Sequence, residues 1–439
     1  LQLLLGMKAT HFGFLCSVLM FLFMRQSLAL YTAAVVEYSP HYASERVNRS
    51  QALNIMNENL AEYQTYIQRA ATQGADIILF PEDGLYGAYF YTRDSILPYL
   101  EYIPDVDPQN QTEKVFPCDF HGAERLRSPI LVQASCMARE SNITVVLNMG
   151  EIRYCSPDVD SRCPSDFRYQ YNTLVAFSSS GELQAKYHKS HLYYEPQFDA
   201  PAVPDVVWFE SDFGIRFGLM ICFDIMFEEP QMSLYHRHGI RNFLWSSWWV
   251  NEPPLITGTQ VELARSLSLP SNFLASGIGL SWYNSGSGIY SYGDPLQHWY
   301  NIGSKPISRM MIAELPEARE VEERRKLARL SNSDSVTPIA PATPPNITTF
   351  MANPGSSYEI ESISNNLTCT ATLRVHETST SQLFGVYSLD GVYNGLFLAQ
   401  ICALLACADE QCISPVLDTQ SILHSFELSG SFDTQELFI

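Results

Sequence analysis

Three reactive side chains stand out by type and by place: Cys222, Glu82 and Lys189. Cys222 ends the apolar run Ile215 to Ile221, which reads as a buried strand, and Phe223 and Asp224 follow it. Glu82 lies just past another strand-like run, in Ile77-Ile-Leu-Phe-Pro-Glu82-Asp-Gly84. Lys189 follows a third, in Lys186-Tyr-His-Lys189-Ser-His-Leu-Tyr193. A thiol, a carboxylate and an amine at three strand ends are the parts of a site that attacks an amide carbonyl. A free thiol with pKa ~8.5 is mostly protonated at neutral pH, so it needs a base. Glu82 is expected to take that proton as attack begins, give it to the departing amine, and then activate water against the thioester. Attack puts negative charge on the carbonyl oxygen, and Lys189 with the backbone N–H of Phe223 is expected to stabilise it. Lys189 is also expected to favour ionised Cys222 and Glu82 by charge attraction. Taken singly, each has an ordinary structural reading: an inert buried thiol, a helix-capping acid, a surface lysine.

The set resembles the nitrilase superfamily of carbon–nitrogen hydrolases, in its biotinidase and vanin (pantetheinase) branch. Phe80-Pro-Glu82-Asp-Gly84-Leu-Tyr-Gly87, Tyr187-His-Lys189 and Cys222-Phe-Asp224 match that branch's three catalytic motifs. Arg168-Tyr-Gln-Tyr-Asn172 and Gly286-Ser-Gly-Ile-Tyr290 match further ones. The likeness continues through Leu367-Thr-Cys369, Gln400-Ile-Cys402 and Phe426-Glu-Leu-Ser-Gly-Ser-Phe432. The resemblance implies an α/β fold, an α-β-β-α sandwich of two packed sheets followed by a smaller, mainly-β C-terminal domain. It implies Cys222 as nucleophile, Glu82 as proton acceptor, and Lys189 as proton donor and oxyanion stabiliser. It implies no metal or organic cofactor and a small-molecule linear amide as substrate. Pantetheine, split into pantothenate and cysteamine, is placed first, with biotin amides such as biocytin as the alternative. The segment Lys189 to Glu195 is somewhat closer to biotinidase. Leu267 to Ser271 and Ser281 to Asn284 depart from the vertebrate pattern where analogy puts the substrate mouth. Two rivals remain: an inactive surface or interaction protein with this fold, and a nitrile hydrolase using the same three groups.

Weaker candidates surround the trio. Glu195 could orient Lys189 or be an ordinary exposed acid. Phe223, Glu195, Trp248 and Trp249 are the candidate substrate contacts; the cluster Trp245-Ser-Ser-Trp248-Trp249 is either core or pocket wall. His188 and His191 flank Lys189 and invite a metal role, but structural roles are the simpler reading. Asp224 is expected to fix the backbone beside the thiol, and His236-Arg-His238 reads as a basic helix C-terminus.

The elements that must position these groups follow from periodicity. Thr32 to Tyr38 reads as a first strand. Leu53, Met56, Leu60, Tyr63, Ile67 and Ala71 recur at threes and fours, an amphipathic helix stopped at Gly74. Asp76 to Phe80, Ile143 to Met149, Phe243 to Ser246 and Asn272 to Ala275 read as strands. Pro129 to Glu140 and Thr259 to Ser268 read as helices. Tyr169 to Ser178 with Leu183 to Tyr187, and Val206 to Phe209 with Ile215 to Ile221, read as hairpins. Alternating strands and helices argue for layered α/β architecture. Glu317 to Arg329 reads as a solvated helix and Ser331 to Pro345 as a linker. Short alternating runs such as Ser381 to Ser388 make the remainder all-β. The expected division is a signal peptide at 1–29, a catalytic domain at 30–318, a linker at 319–349 and a β-rich domain at 350–439.

Bulk properties bound the rest. A chain of 439 residues exceeds one ordinary core. A formal charge of -20 excludes nucleic acid as a partner, because the phosphates would be repelled. Met7 reads as the start. Phe12 to Phe23 is apolar and short of the ~20 residues of a membrane span, and Ser27-Leu-Ala29 follows it as a cleavage site. Apart from Cys16 and Cys222, eight cysteines remain, and their connectivity is open from sequence alone. The resemblance suggests Cys118–Cys136, Cys155–Cys163, Cys369–Cys402 and Cys407–Cys412. Asn48, Asn110, Asn142, Asn346 and Asn366 begin glycosylation sequons. A secreted, extracellular glycoprotein is expected. No membrane anchor is visible, and a glycolipid anchor is expected only if the chain continues past Ile439.

Overall fold

A computed structural model describes residues 29–108, 114–252, 256–301, 303–316, 346–393, 397–407, 410, 412 and 423–431. The expected signal peptide, the Glu317 to Arg329 helix and the Ser331 to Pro345 linker lie outside these residues. Residues 29–316 make two six-stranded sheets. One has the order β12-β1-β2-β3-β4-β5, from β1 (Ala29–Glu37), β2 (Ile77–Leu79), β3 (Thr144–Tyr154), β4 (Arg168–Phe177), β5 (Leu183–His188) and β12 (Arg309–Pro316). The other has the order β11-β10-β9-β8-β7-β6, from β6 (Trp208–Glu210), β7 (Arg216–Ile221), β8 (Asn242–Ser246), β9 (Asn272–Ser276), β10 (Ser287–Ser291) and β11 (Asp294–Trp299).

The strands of the first sheet are buried on both faces, and the pleat sorts their side chains. Ala34, Val36, Ile78, Val145, Leu147, Val175 and Phe177 join a core beneath two helices, α1 (Arg49–Thr72) and α2 (Pro129–Ser141). Their chain neighbours Ala33, Val35, Ile77, Leu79, Val146, Leu174 and Ala176 join the core between the sheets. This period of two fixes the register, since a one-residue slip would exchange the two sets. A third helix, α3 (Gly258–Ser268), lies against β9, β10 and β11. The result is the four-layer α-β-β-α sandwich.

Asn48 caps α1, accepting from the Gln51 N–H while the Gln51 side chain accepts from the Asn48 N–H. The buried stripe of α1 runs Ala52, Met56, Asn59, Leu60, Tyr63, Ile67, Ala70, so Ala52 and Ala70 replace the expected Leu53 and Ala71 at its ends. Asn59 is the polar member. It donates to the carbonyls of His41 (2.8 Å) and Leu85 (2.9 Å) and accepts from Tyr38 (2.9 Å), which pins the chain just after β2. Gly84 in that turn is required by space: a Cβ there would lie 2.1 Å from the Tyr63 hydroxyl.

Two three-stranded sheets follow, β13-β16-β17 and β14-β15-β18, from β13 (Ile347–Ala352), β14 (Ser357–Ser364), β15 (Leu367–Val375), β16 (Gln382–Tyr393), β17 (Phe397–Cys407) and β18 (Leu423–Gly430). They share small cores, one built on Ala352, Leu373, Val375 and Phe384. The structure pairs Cys118 with Cys136, Cys155 with Cys163, Cys369 with Cys402 and Cys407 with Cys412. The Cys369–Cys402 bridge links β15 to β17, and so joins the two small sheets. No described helix is long and apolar enough to cross a membrane.

Candidate active site

Strands β2 and β5 point the same way in the first sheet, and β7 and β8 run parallel in the second. Their carboxyl ends meet at one end of the sandwich, where Ser246 Oγ donates to the Phe80 carbonyl across the layers (2.9 Å). Glu82 follows β2, Lys189 follows β5 and Cys222 follows β7, so folding collects all three. Each is buried: Glu82 and Lys189 are 2% exposed and Cys222 is 5% exposed.

Lys189 Nζ donates to Glu82 Oε1 at 2.7 Å and to Glu195 Oε2 at 2.5 Å. Asn172 Nδ2 bridges the same two acids, 2.8 Å from Glu82 Oε1 and 2.9 Å from Glu195 Oε1. The other Glu82 oxygen accepts the main-chain N–H of Trp248 at 2.7 Å. The Trp248 carbonyl lies 3.7 Å from Cys222 Sγ. Cys222 is the one free cysteine among the described residues. It starts a short turn, Cys222–Met226, with φ +44°, a strained conformation for a non-glycine residue that aims its side chain off the strand axis. The Trp245 indole N–H holds the Cys222 carbonyl at 2.9 Å.

Asp224 fixes this turn. Its carboxylate accepts from the Ile221 N–H (3.0 Å), the Tyr187 hydroxyl (2.7 Å) and the His191 N–H (2.9 Å). It therefore ties the thiol's turn to the segment that carries Lys189. Both flanking histidines are engaged structurally. His188 lies between Glu151 and Asp205, each 2.8 Å away, and His191 contacts Asp224 and stacks on Phe227. Among the described residues no group of three or more His, Cys, Asp or Glu side chains is arranged to hold a metal ion.

Electrostatics refine the sequence reading. Burial would lower the Lys189 pKa, but the Glu195 charge, then the Glu82 charge, outweigh it and hold the ammonium well above its ordinary range. Lys189 was expected to favour the Cys222 thiolate as well. That pull is present, but burial first and then the Glu82 charge outweigh it and push the thiol well above its ordinary value. The resting sulfur is a thiol, so the proton must leave as attack begins. Burial, then the Glu82 charge, also raises Glu195 against the opposing pull of Lys189.

The four candidate substrate contacts divide. Phe223 and Trp249 line a small cavity that opens on Cys222, with Tyr193, Met226, Val250, Glu252 and Ile256. Trp248 serves through its backbone, its ring set edge-on to Tyr89. Glu195 touches Lys189 rather than the cavity. Ser281 to Asn284 does lie at this end, since Asn284 Nδ2 donates to the Trp249 carbonyl (3.2 Å). Leu267 to Ser271 does not. It leads into β9, which runs parallel to β8, so it lies at the opposite end of the sheet from Cys222. Asn172 was missed as a functional group, although it ends a quoted motif. His236–His238 closes one π-helical turn, Ser233–Arg237. Of the sequon residues, Asn48, Asn142 and Asn366 are exposed, Asn346 is half-buried with its amide on Ser364 Oγ, and Asn110 lies outside the described residues.

Residues 32–248 match the family model described as carbon-nitrogen hydrolase, and residues 343–439 match the vanin C-terminal domain. A biotinidase from Takifugu rubripes is 33% identical, the match covering 93% of this chain and 85% of that protein. The chain belongs to the carbon–nitrogen hydrolase family. A second relative of this hydrolase, a pantetheinase from Mus musculus, is 34% identical over 94% of this chain and 81% of its own. Among solved structures, an amidase from Nesterenkonia sp. is similar at 18% identity, with 68% of this chain and 95% of that one covered and a TM-score of 0.44. By its family and its biotinidase and pantetheinase relatives, the chain is an enzyme acting on carbon–nitrogen bonds of amides.

Proposed function

We propose that the unit 30–318 hydrolyses a linear carboxamide through a thioester on Cys222. Glu82 takes the thiol proton as sulfur attacks the carbonyl carbon. Lys189 and the Phe223 N–H stabilise the negative oxygen that forms. Glu82 returns the proton to the departing amine, which leaves an acyl-thioester. It then draws a proton from water, whose oxygen attacks the thioester and frees the acid and the thiol. One observation carries this reading: Glu82 is held at once by Lys189 Nζ and by the Trp248 N–H, and the Trp248 carbonyl reaches Cys222 Sγ.

Pantetheine is the first substrate, giving pantothenate and cysteamine. Biotin amides such as biocytin are the second, because the biotinidase and pantetheinase relatives are nearly equal in identity. The site of action is extracellular, a reading supported by four disulfides. Mass spectrometry of protein quenched during turnover of each amide tests the proposal. A pantothenyl or biotinyl adduct on Cys222 is expected. No turnover of either would remove both substrate assignments, and an adduct elsewhere would remove the mechanism.

A further inference from the structure

His188 closes the base of the loop that carries Lys189. It is the last residue of β5. Its ring lies between two acids: Nε2 is 2.8 Å from Glu151 Oε2 on β3, and Nδ1 is 2.8 Å from Asp205 Oδ2. A neutral imidazole has one donor and one acceptor, and an ionised carboxylate only accepts. Both contacts are therefore hydrogen bonds only while the ring is an imidazolium. Burial would lower the His188 pKa, but the bonds to Asp205 and then Glu151 outweigh it and hold it above its ordinary value. Lys186 on β5 and Arg153 on β3 complete the charged surroundings. They donate to Glu151 Oε1 at 3.0 and 2.6 Å, and both also bond Asp105. Tyr171 of β4 packs over the imidazole, with ring centroids 4.3 Å apart.

His188 and Asp205 are 17 residues apart in sequence. Between them the chain carries Lys189, Tyr193 of the cavity wall at Cys222, and Glu195, which accepts from Lys189. The backbone doubles the clasp: the His188 N–H donates to Asp205 Oδ2 (3.2 Å), and Ser190 Oγ accepts the Asp205 N–H (3.1 Å). The middle of the loop is held through Asp199, which accepts from Arg93 and from the Gln170 N–H, each at 2.8 Å. Of these anchors, the imidazolium is the one that titrates near neutral pH. Once its proton is lost, one ring nitrogen turns a lone pair on a carboxylate. Glu151 is buried and keeps Lys186 and Arg153, whereas Asp205 is 29% exposed, so the Asp205 side is the one that opens. Resting on the mechanism above, we propose that His188, as an imidazolium bridging Glu151 and Asp205, is a positioning residue that closes the loop 189–205 and holds Lys189 where the oxyanion forms, and that loss of its ring proton sets an alkaline limit on turnover.

Two measurements test this. The first is the NMR titration of the His188 ring in the unaltered enzyme with isotope-labelled histidine, its signal assigned by its loss in His188→Gln. A midpoint above the ordinary ~6.5 is expected, and a midpoint at or below that value overturns the clasp, whatever the variants do. The second is the pH profile of turnover for whichever of pantetheine and biocytin reacts. In the unaltered enzyme kcat and kcat/KM should fall together along an alkaline limb that matches the ring midpoint, because the oxyanion contact is made in the transition state. His188→Arg keeps a cation with donors for both carboxylates, so this limb should move to higher pH. His188→Gln can donate from one end only, so both constants should be lower by roughly 10- to 100-fold at neutral pH, and the step should vanish. A limb that stays in place in His188→Arg, or persists in His188→Gln, overturns the positioning role and leaves the mechanism standing. If neither amide acylates Cys222, the mechanism itself falls and the positioning role falls with it, and the ring midpoint alone decides the clasp.

Discussion

Glu82 Oε2 accepts the main-chain N–H of Trp248 at 2.7 Å, a bond between the two sheets across 166 residues of sequence. It ties the carboxylate after β2 to the strand end beside Cys222. Because Trp248 offers its N–H to Glu82 and its carbonyl to Sγ, one peptide segment sets the spacing of base and nucleophile. A backbone donor cannot rotate away as a side chain can, so the base is held in one orientation before substrate arrives.

Glu82→Gln preserves the shape and the Trp248 bond but cannot accept a proton. Turnover is expected to fall ~10²–10⁴-fold, the usual weight of a positioned general base. Alkylation of Cys222 should slow with it, since the buried thiol then loses the Glu82 carboxylate as its proton acceptor. Steady-state rates and timed thiol labelling check this. Labelling at the unaltered rate would show that another group takes the proton.

Cys222→Ala removes the sulfur while the turn stays held by Asp224 and Trp245. Turnover is expected to drop by about 10⁴-fold or more, as for loss of a nucleophile elsewhere. The melting temperature should move by only a few degrees, because a small side chain is lost. Retained turnover would contradict the mechanism, and collapse of the fold would assign the thiol to the core.

Lys189→Met tests the charge balance. Its ammonium lies between two buried acids, Glu82 and Glu195, with Asn172 bridging them from the other side. Removing it leaves uncompensated buried carboxylate charge, so urea unfolding should report a loss of about 3–5 kcal/mol. Turnover should fall ~10²–10³-fold through loss of an oxyanion partner. Adding Glu195→Gln should restore part of the stability and none of the activity, because the two groups are coupled in folding only. Recovery of activity would show that Lys189 merely neutralises Glu195.

What the chain disclosed, and what it hid, follows from the range of the interactions. The strand ahead of each reactive residue was legible, because a run such as Ile215 to Ile221 is apolar apart from Arg216 and stops at Cys222. Helix α1 was legible from its spacing; only its ends shifted by one residue, as Ala52 and Ala70 carry too little hydrophobic signal to mark the stripe. The supporting groups were not legible. The Trp248 N–H acts through backbone, which every residue has. Asn172 acts across a sheet, and its motif gave no hint of two acids on one amide. The sign of the Cys222 shift was also hidden, since burial is a property of the packed sandwich. Placement of Leu267 to Ser271 failed for a topological reason: proximity to the mouth depends on strand direction, which a linear reading does not fix.

Glu262, on α3, supplies a pH-dependent signature of the fold. It is fully buried, its Oε2 accepts from the Tyr290 hydroxyl at 2.8 Å, and its Oε1 has no hydrogen-bond partner among the described residues. Burial first, opposed by that hydrogen bond and aided by the Glu37 charge, pushes its pKa up to about 8. The unfolded chain should titrate it near ~4.3. Between these values the unfolded state has released the proton that the folded state keeps, so fewer protons are bound unfolded and stability falls as pH rises. The contribution is complete below the unfolded pKa and is lost as pH climbs through about 8. Glu262→Gln has no proton to lose. Its stability relative to the unaltered enzyme should therefore climb between pH ~5 and ~8, by on the order of 1 kcal/mol per pH unit, and level off above. Urea unfolding of both proteins across that range, with the disulfides intact, measures the difference. A difference independent of pH would mean that the carboxyl is already ionised in the fold, held by a counter-charge that α3 and β10 do not provide.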